Sequence, residues 1–120
     1  MMNDTTPTIA QASRDIAAGK LSPVALTDMM LDRIDAQNGT LNAFVTITAD
    51  IARKQARHAE AEIKAGRYLG PMHGIPLGYK DIFETAGILT TGHSHSLLDR
   101  VPEKDCFSVA KMQAAGAVCL

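Results

Sequence analysis

The last residues of the sequence restrict the fold more than any others. Ala117-Val118-Cys119-Leu120 is an unbroken apolar run directly after Gly116, and glycine in that place marks the end of a helix. A short apolar run without alternation reads as a strand buried on both faces. Ile75 to Lys80 reads as an earlier strand, and between the two Asp105 is expected to cap a helix running to Ala115. Strand, helix and strand in that order make a crossover between parallel strands, which need cover on both faces. The expectation is an α/β chain whose sheet calls for more strands and helices than these 120 residues supply. With no polar tail or return turn after Leu120, the chain is expected to be a truncated part of a larger unit.

Upstream, the chain reads as helical. Thr8-Ile9-Ala10-Gln11 fits a capping box, Gly19 supplies a stop, and the spacing predicts a helix over residues 9–18. Ser22 is expected to cap a second helix with Pro23 in its first turn, an apolar stripe at Leu26, Met30 and Ile34, and an end at Asn38-Gly39. Leu41 to Ile47 is compatible with a short strand. Thr48 opens a third helix, on which Ile51, Gln55, Ala59 and Ile63 share a face beside Ala52 and Ala56, and Gly66 closes it. Its charges read as a solvated face, with Glu60 and Lys64 as an i,i+4 pair. Tyr68 to Gly74 is a loop rich in Gly and Pro, a turn falls near Ala86-Gly87, Thr91-Gly92 implies bent backbone, and residues 101–104 read as a connector. Residues 1–120 form a segment of one domain, with 1–7 expected to lack fixed structure.

Charge and composition exclude several classes of function. Lys plus Arg number 12 against 13 Asp plus Glu, for a formal net charge of -1, so there is no electrostatic case for nucleic acid or an anionic membrane. No apolar run is long enough to span a bilayer, and the polar start of the chain lacks the pattern of a signal peptide, so a cytoplasmic location is expected. Cys106 and Cys119 match neither a zinc pattern nor a disulfide framework and read as reduced.

The stretch Gly70 to Asp81 carries the chemistry, because it places a cation inside apolar sequence. Along a regular strand Ile75, Leu77 and Tyr79 take one face and Pro76, Gly78 and Lys80 the other, so Lys80 has no bulky neighbour. Lys80 then either ends the strand with its amine in water or is a working group. Asp81 would point away from it. His73 either sits beside Lys80 or lines the turn. His93-x-His95 could present two imidazoles to a metal, yet no third ligand stands out and two loop histidines are the plainer reading. Ser94 and Ser96 have no base in view, His58 reads as solvated, and no phosphate-binding glycine loop occurs.

The run Gly70-Pro71-Met72-His73-Gly74-Ile75-Pro76-Leu77-Gly78-Tyr79-Lys80-Asp81 resembles the start of the amidase signature family. So do Thr85-Ala86-Gly87-Ile88, Thr90-Thr91-Gly92, Val101-Pro102, Asp105 and Ala114-Ala115-Gly116-Ala117-Val118. The likeness covers roughly residues 22–120. It implies the N-terminal part of a large α/β fold with a mixed central sheet, and a Ser-cis-Ser-Lys amidohydrolase in which Lys80 is the general base. The lysine would act through a bridging serine on a nucleophilic serine, and an acyl-enzyme would follow with release of ammonia or an amine. Such a lysine must sit below its ordinary pKa of about 10.4, as burial against apolar strands would arrange, with Gly78 leaving room for the serine partner.

Both serines of that motif lie beyond Leu120 in the family's order, so Ser94 and Ser96 match neither, and residues 1–120 alone are expected to be inactive. Cys106 and Phe107 stand where small residues are expected. The resemblance implies no cofactor and no metal, and a small-molecule amide as substrate. Its alternative is the A subunit of a tRNA-dependent amidotransferase, in which case nucleic acid and partner subunits enter; a non-catalytic remnant is a further alternative. By itself the chain is expected to expose a sheet edge and apolar helix faces and to form homo-oligomers or aggregates.

Overall fold

Thr8 and Gln11 start the first helix by exchanging hydrogen bonds: the Thr8 hydroxyl accepts the Gln11 N–H at 3.2 Å, and the Gln11 side chain accepts the Thr8 N–H at 3.0 Å. The computed structural model describes residues 6–120. The expected lack of order over residues 1–7 thus falls, for 1–5, outside the described residues. Helix α1 (Ile9–Ala17) ends before Gly19, which takes the left-handed backbone expected of it, φ 70°. Ser22 caps α2 (Pro23–Leu41) by accepting the N–H groups of Val24 and Ala25. Its hydroxyl also donates to Glu60 on the next helix. That bond first, and then Lys64 at 2.9 Å, hold the Glu60 carboxyl below its ordinary range.

Helix α2 does not stop at Asn38-Gly39 as the sequence pattern suggests. The Asn38 side chain turns to residue 44 instead, accepting the Phe44 N–H at 2.8 Å and donating to the Phe44 carbonyl at 3.0 Å. Asn42 takes the left-handed C-terminal position, φ 48°, with its N–H on the Asn38 carbonyl. These bonds also explain why residues 41–47 are not a strand: the backbone groups of Phe44 are already satisfied by a side chain, and no strand lies alongside.

Helix α3 (Ala49–Lys64) buries Ala52, Ala56 and Ala59, while Ile51 stays 39 % exposed. The buried face is the Ala52, Ala56 and Ala59 side of the expected one, and Ile51 lies at its edge. Small side chains win there because they let α3 lie close against α2 and the sheet. Two clusters result. Leu31, Ile34, Ala52, Ala56, Val118 and Leu120 form one; Ala12, Ile16, Leu26 and Ile75 form the other, so α2 has core on two sides.

The crossover is present, in shorter form. Strands β1 (Pro76–Leu77) and β2 (Val118–Cys119) are parallel, with Pro76 opposite Val118 and Leu77 opposite Cys119, and α4 (Phe107–Ala114) lies between them in sequence. A two-stranded parallel piece is what these residues contribute to a sheet. One of its edges stays partly open, as expected, and the other is occupied. Ile75 and Leu77 offer their carbonyls to β2, so Pro76 faces outward and has no N–H to give. On the other side the Cys119 N–H goes to the Gln55 side chain at 2.8 Å, and the Cys119 carbonyl accepts the Thr48 hydroxyl at 3.1 Å. Thr48 is thereby diverted from capping α3. Asp105 is likewise not the cap of α4: its carboxylate accepts the Ala86 N–H at 2.7 Å, and Cys106 takes the capping position with no side-chain bond. Phe107 is 77 % exposed, beneath the Lys111 amine.

His73 fastens the start of β1 to the start of β2. Its ring is buried at 1 % exposure, its Nδ1 accepts the Leu69 N–H at 3.1 Å, and its Nε2 lies 3.2 Å from the Glu62 carboxylate. A Cβ at Gly116 would fall 2.3 Å from that ring, and the backbone there has φ 83°. Gly66 has a similar φ of 85° with nothing near it. In urea denaturation of the protein, Gly66→Ala is expected to cost about 1–2 kcal/mol from backbone strain alone. Gly116→Ala is expected to cost that and roughly 1–3 kcal/mol more from the collision. Equal losses at the two glycines would show that the imidazole is free to move aside.

Candidate active site

Between β1 and α4 the chain runs through residues 78–106 with only a single turn of 3₁₀ helix, His95–Leu97, as regular structure. Loops this long are uncommon in a packed domain unless anchored, and here side chains anchor it. Asp81 accepts the Thr91 hydroxyl at 2.6 Å and the Thr91 N–H at 3.0 Å, and its own carbonyl accepts the Gly92 N–H. The Thr91 hydroxyl is the main cause of an Asp81 carboxyl held below its ordinary value. Further along, Thr90 bonds to Arg100, Gly87 to Pro102 and Cys106 to Glu84 through the backbone, and Arg100 pairs with Glu84. The loop is thereby shaped into one wall of a cleft of about 600 Å³, whose opposite wall is residues 43–48 and whose floor is Gly78 to Lys80.

Lys80 lies in this cleft. Its amine makes no hydrogen bond or ion pair with any described residue, and it is exposed. The expectation of a lysine buried against apolar strands is thus corrected for these residues: the paired part of β1 ends at Leu77, and Lys80 stands beyond it. The room beside Gly78 is also taken. A Cβ there would lie 3.2 Å from the Phe44 ring, tighter than ordinary contact, so glycine suits the close approach of an aromatic side chain. Asp81 turns to Thr91 and makes no ion pair with Lys80. Tyr79 and Cys119 line the same cleft, and burial pushes the Tyr79 phenol up to about 12 and the Cys119 thiol up as well. Both are neutral near pH 7, suited to packing or hydrogen bonding more than to attack.

The other candidates separate. His73 is not beside Lys80 but lines the turn, stacked on Tyr68 at 6.2 Å between ring centres. His58 is exposed and lies 3.6 Å from Glu62. His93 occupies a turn with φ 56° and reaches the cleft, whereas His95 and Ser96 belong to the exposed 3₁₀ turn that the Ser94 hydroxyl caps. Among the described residues no three His, Cys, Asp or Glu side chains are grouped to hold a metal ion. Cys106 and Cys119 are both free thiols, and no described helix is long and apolar enough to cross a membrane. Sequence reasoning missed Phe44 and Thr48 as walls of the cleft. The one available signal was Asn38, which lies six residues before Phe44 and bonds its backbone in place of ending the helix.

The Amidase family profile matches residues 25–120. The A subunit of glutamyl-tRNA(Gln) amidotransferase from Rhodospirillum rubrum is 44 % identical over 123 residues, an alignment spanning 100 % of this chain and 24 % of that protein. The protein of the same name from Roseiflexus castenholzii is 43 % identical over 94 % of this chain and 23 % of its own length. Among solved structures, native peptide amidase from Stenotrophomonas maltophilia superposes with a TM-score of 0.90 at 34 % identity, covering 98 % of this chain and 24 % of that one. The chain spans about a quarter of the length of the relatives it matches.

The Asp81–Thr91 contact carries a test of how the cleft wall is held. Because the folded carboxyl is depressed, its contribution is complete above the unfolded pKa of about 3.9 and is lost as pH falls through the lower folded value. Thr91→Val is therefore expected to lower the melting temperature by a few degrees at pH 7 and by progressively less as pH falls below the unfolded value and through the folded one. Melting followed against pH checks this; a constant gap across that range would mean that the hydroxyl acts through packing alone.

Proposed function

The chain belongs to the amidase family, and from that premise we propose that it supplies the lysine-bearing wall of an acyl-transfer site acting on carboxamide C–N bonds. The observation that carries the proposal is the unpartnered Lys80 amine facing the cleft, within the run Gly74-Ile75-Pro76-Leu77-Gly78-Tyr79-Lys80-Asp81. Lys80 takes a proton from a bridging serine, which takes one from a nucleophilic serine; both serines are contributed by polypeptide outside residues 1–120. The nucleophile's oxygen adds to the amide carbonyl, the C–N bond breaks, and the nitrogen leaves as ammonia or an amine carrying the relayed proton. Water or another acceptor then takes the acyl group. Since Lys80 is exposed here, the remaining polypeptide must also cover the cleft, disfavouring the charged amine by desolvation.

Of the two enzymatic readings, the A subunit of a glutamyl-tRNA amidotransferase has more support than a stand-alone amidase. The curated relatives bearing that name are 44 % and 43 % identical, against 34 % for the peptide amidase. In this reading glutamine is the amide donor and partner subunits pass the ammonia on to the charged tRNA. The site sits in the cytoplasm.

The test uses the full-length protein carrying this sequence. Lys80→Ala is expected to reduce ammonia release from glutamine by about 10²–10⁴-fold with little change in the melting temperature. Co-purification of partner subunits, with glutamine turnover that rises in their presence, separates the amidotransferase from a stand-alone amidase. Turnover that survives replacement of Lys80 would sink the proposal.

A further inference from the structure

The ring of Phe44 stands between two cavities. On one side is the Lys80 cleft; on the other is a mainly apolar side pocket of about 200 Å³ lined by Met30, Ile34 and Leu41, with Arg33, Gln37 and Asn38 beside them. Phe44 lines both, with Ala43 and Leu120 at the same boundary. It is held from two directions. The Asn38 carboxamide bonds both backbone groups of Phe44, at 2.8 and 3.0 Å, and the ring edge rests over Gly78, where a Cβ would be 3.2 Å away. Gly78 has no left-handed backbone that would demand glycine, so its missing side chain serves the ring. The ring is thus fixed against the residue two positions before Lys80, at the foot of the cleft.

We propose that Phe44 is a specificity-determining residue: its ring is a partition that closes the lysine cleft off from the apolar pocket and so limits the size of the substrate's apolar group. The proposal rests on the amide-acting function above. An aromatic fixed by its own backbone is a stiffer barrier than one held by packing, because displacing it requires breaking the Asn38 bonds as well. With the ring removed, cleft and pocket become continuous, and the newly reachable surface is chiefly that of Met30, Ile34 and Leu41, with Arg33, Gln37 and Asn38 beside them, which favours bulky apolar groups over small ones.

The experiment compares full-length wild type, Phe44→Leu and Phe44→Ala on a small primary amide and on an aryl-substituted primary amide. The ratio of kcat/KM for the aryl amide to that for the small one is expected to rise about tenfold or more in Phe44→Ala, the range in which apolar pockets discriminate by size. Phe44→Leu, which keeps an apolar contact with the core, should fall between and guards against simple misfolding. Affinity for the aryl amide is also measured by calorimetry in a Lys80→Ala background, where it should rise when Phe44→Ala is added. Unchanged ratios and unchanged affinity overturn the partition. If wild type turns over neither amide, the amide-acting function fails instead, and the calorimetry still decides the role of Phe44.

Discussion

The contact between the His73 imidazole and the bare backbone of Gly116 is the constraint on which the rest of the architecture depends. It joins the turn before β1 to the turn before β2, and the Gly74 N–H on the Gly116 carbonyl at 2.8 Å continues the same seam. Register between the strands follows from it. With Ile75 and Val118 placed, α2 and α3 have a fixed surface to cover, and Ala52 and Ala56 allow them to do so at close range. A larger residue at 116 would push on the strand that leads to Lys80.

The cleft shows how a long stretch without helix or strand can still have a definite shape. Asp81, Glu84 and Asp105 each accept a backbone or side-chain donor from a distant part of the loop, spending their charge on geometry. Such bonds to ionised acceptors are stronger than neutral ones. The lysine is the exception in this neighbourhood, being the cation whose partner none of the described residues supplies.

Much of the fold was legible because helix starts are local. Thr8 with Gln11 and Ser22 with Pro23 act within three residues of themselves, and the crossover is written in two apolar runs with a helix between. The failures share a cause. Asn38, Thr48 and Asp105 are residue types that end or cap helices, yet each serves a backbone group outside the helix end it was expected to cap, six residues on for Asn38 and much further for the other two, and a neighbouring residue or none takes over the local role. On α3, hydropathy pointed to Ile51, whereas close packing selected the alanines. Of the site, Lys80 was legible from its motif, but its exposure was not, since that depends on which chain covers the cleft. Phe44 was not legible at all.

The sheet fragment can be regarded as having a valence. Proline at 76 removes the donor from one flank, and the side chains of Gln55 and Thr48 occupy the backbone of Cys119 on the other. An incoming strand meets either a half-empty ladder or one already filled by helix α3. A strand could pair with β2 at that flank only by displacing Gln55 and Thr48 from Cys119. That exchange would report on assembly as a change in amide protection at Cys119.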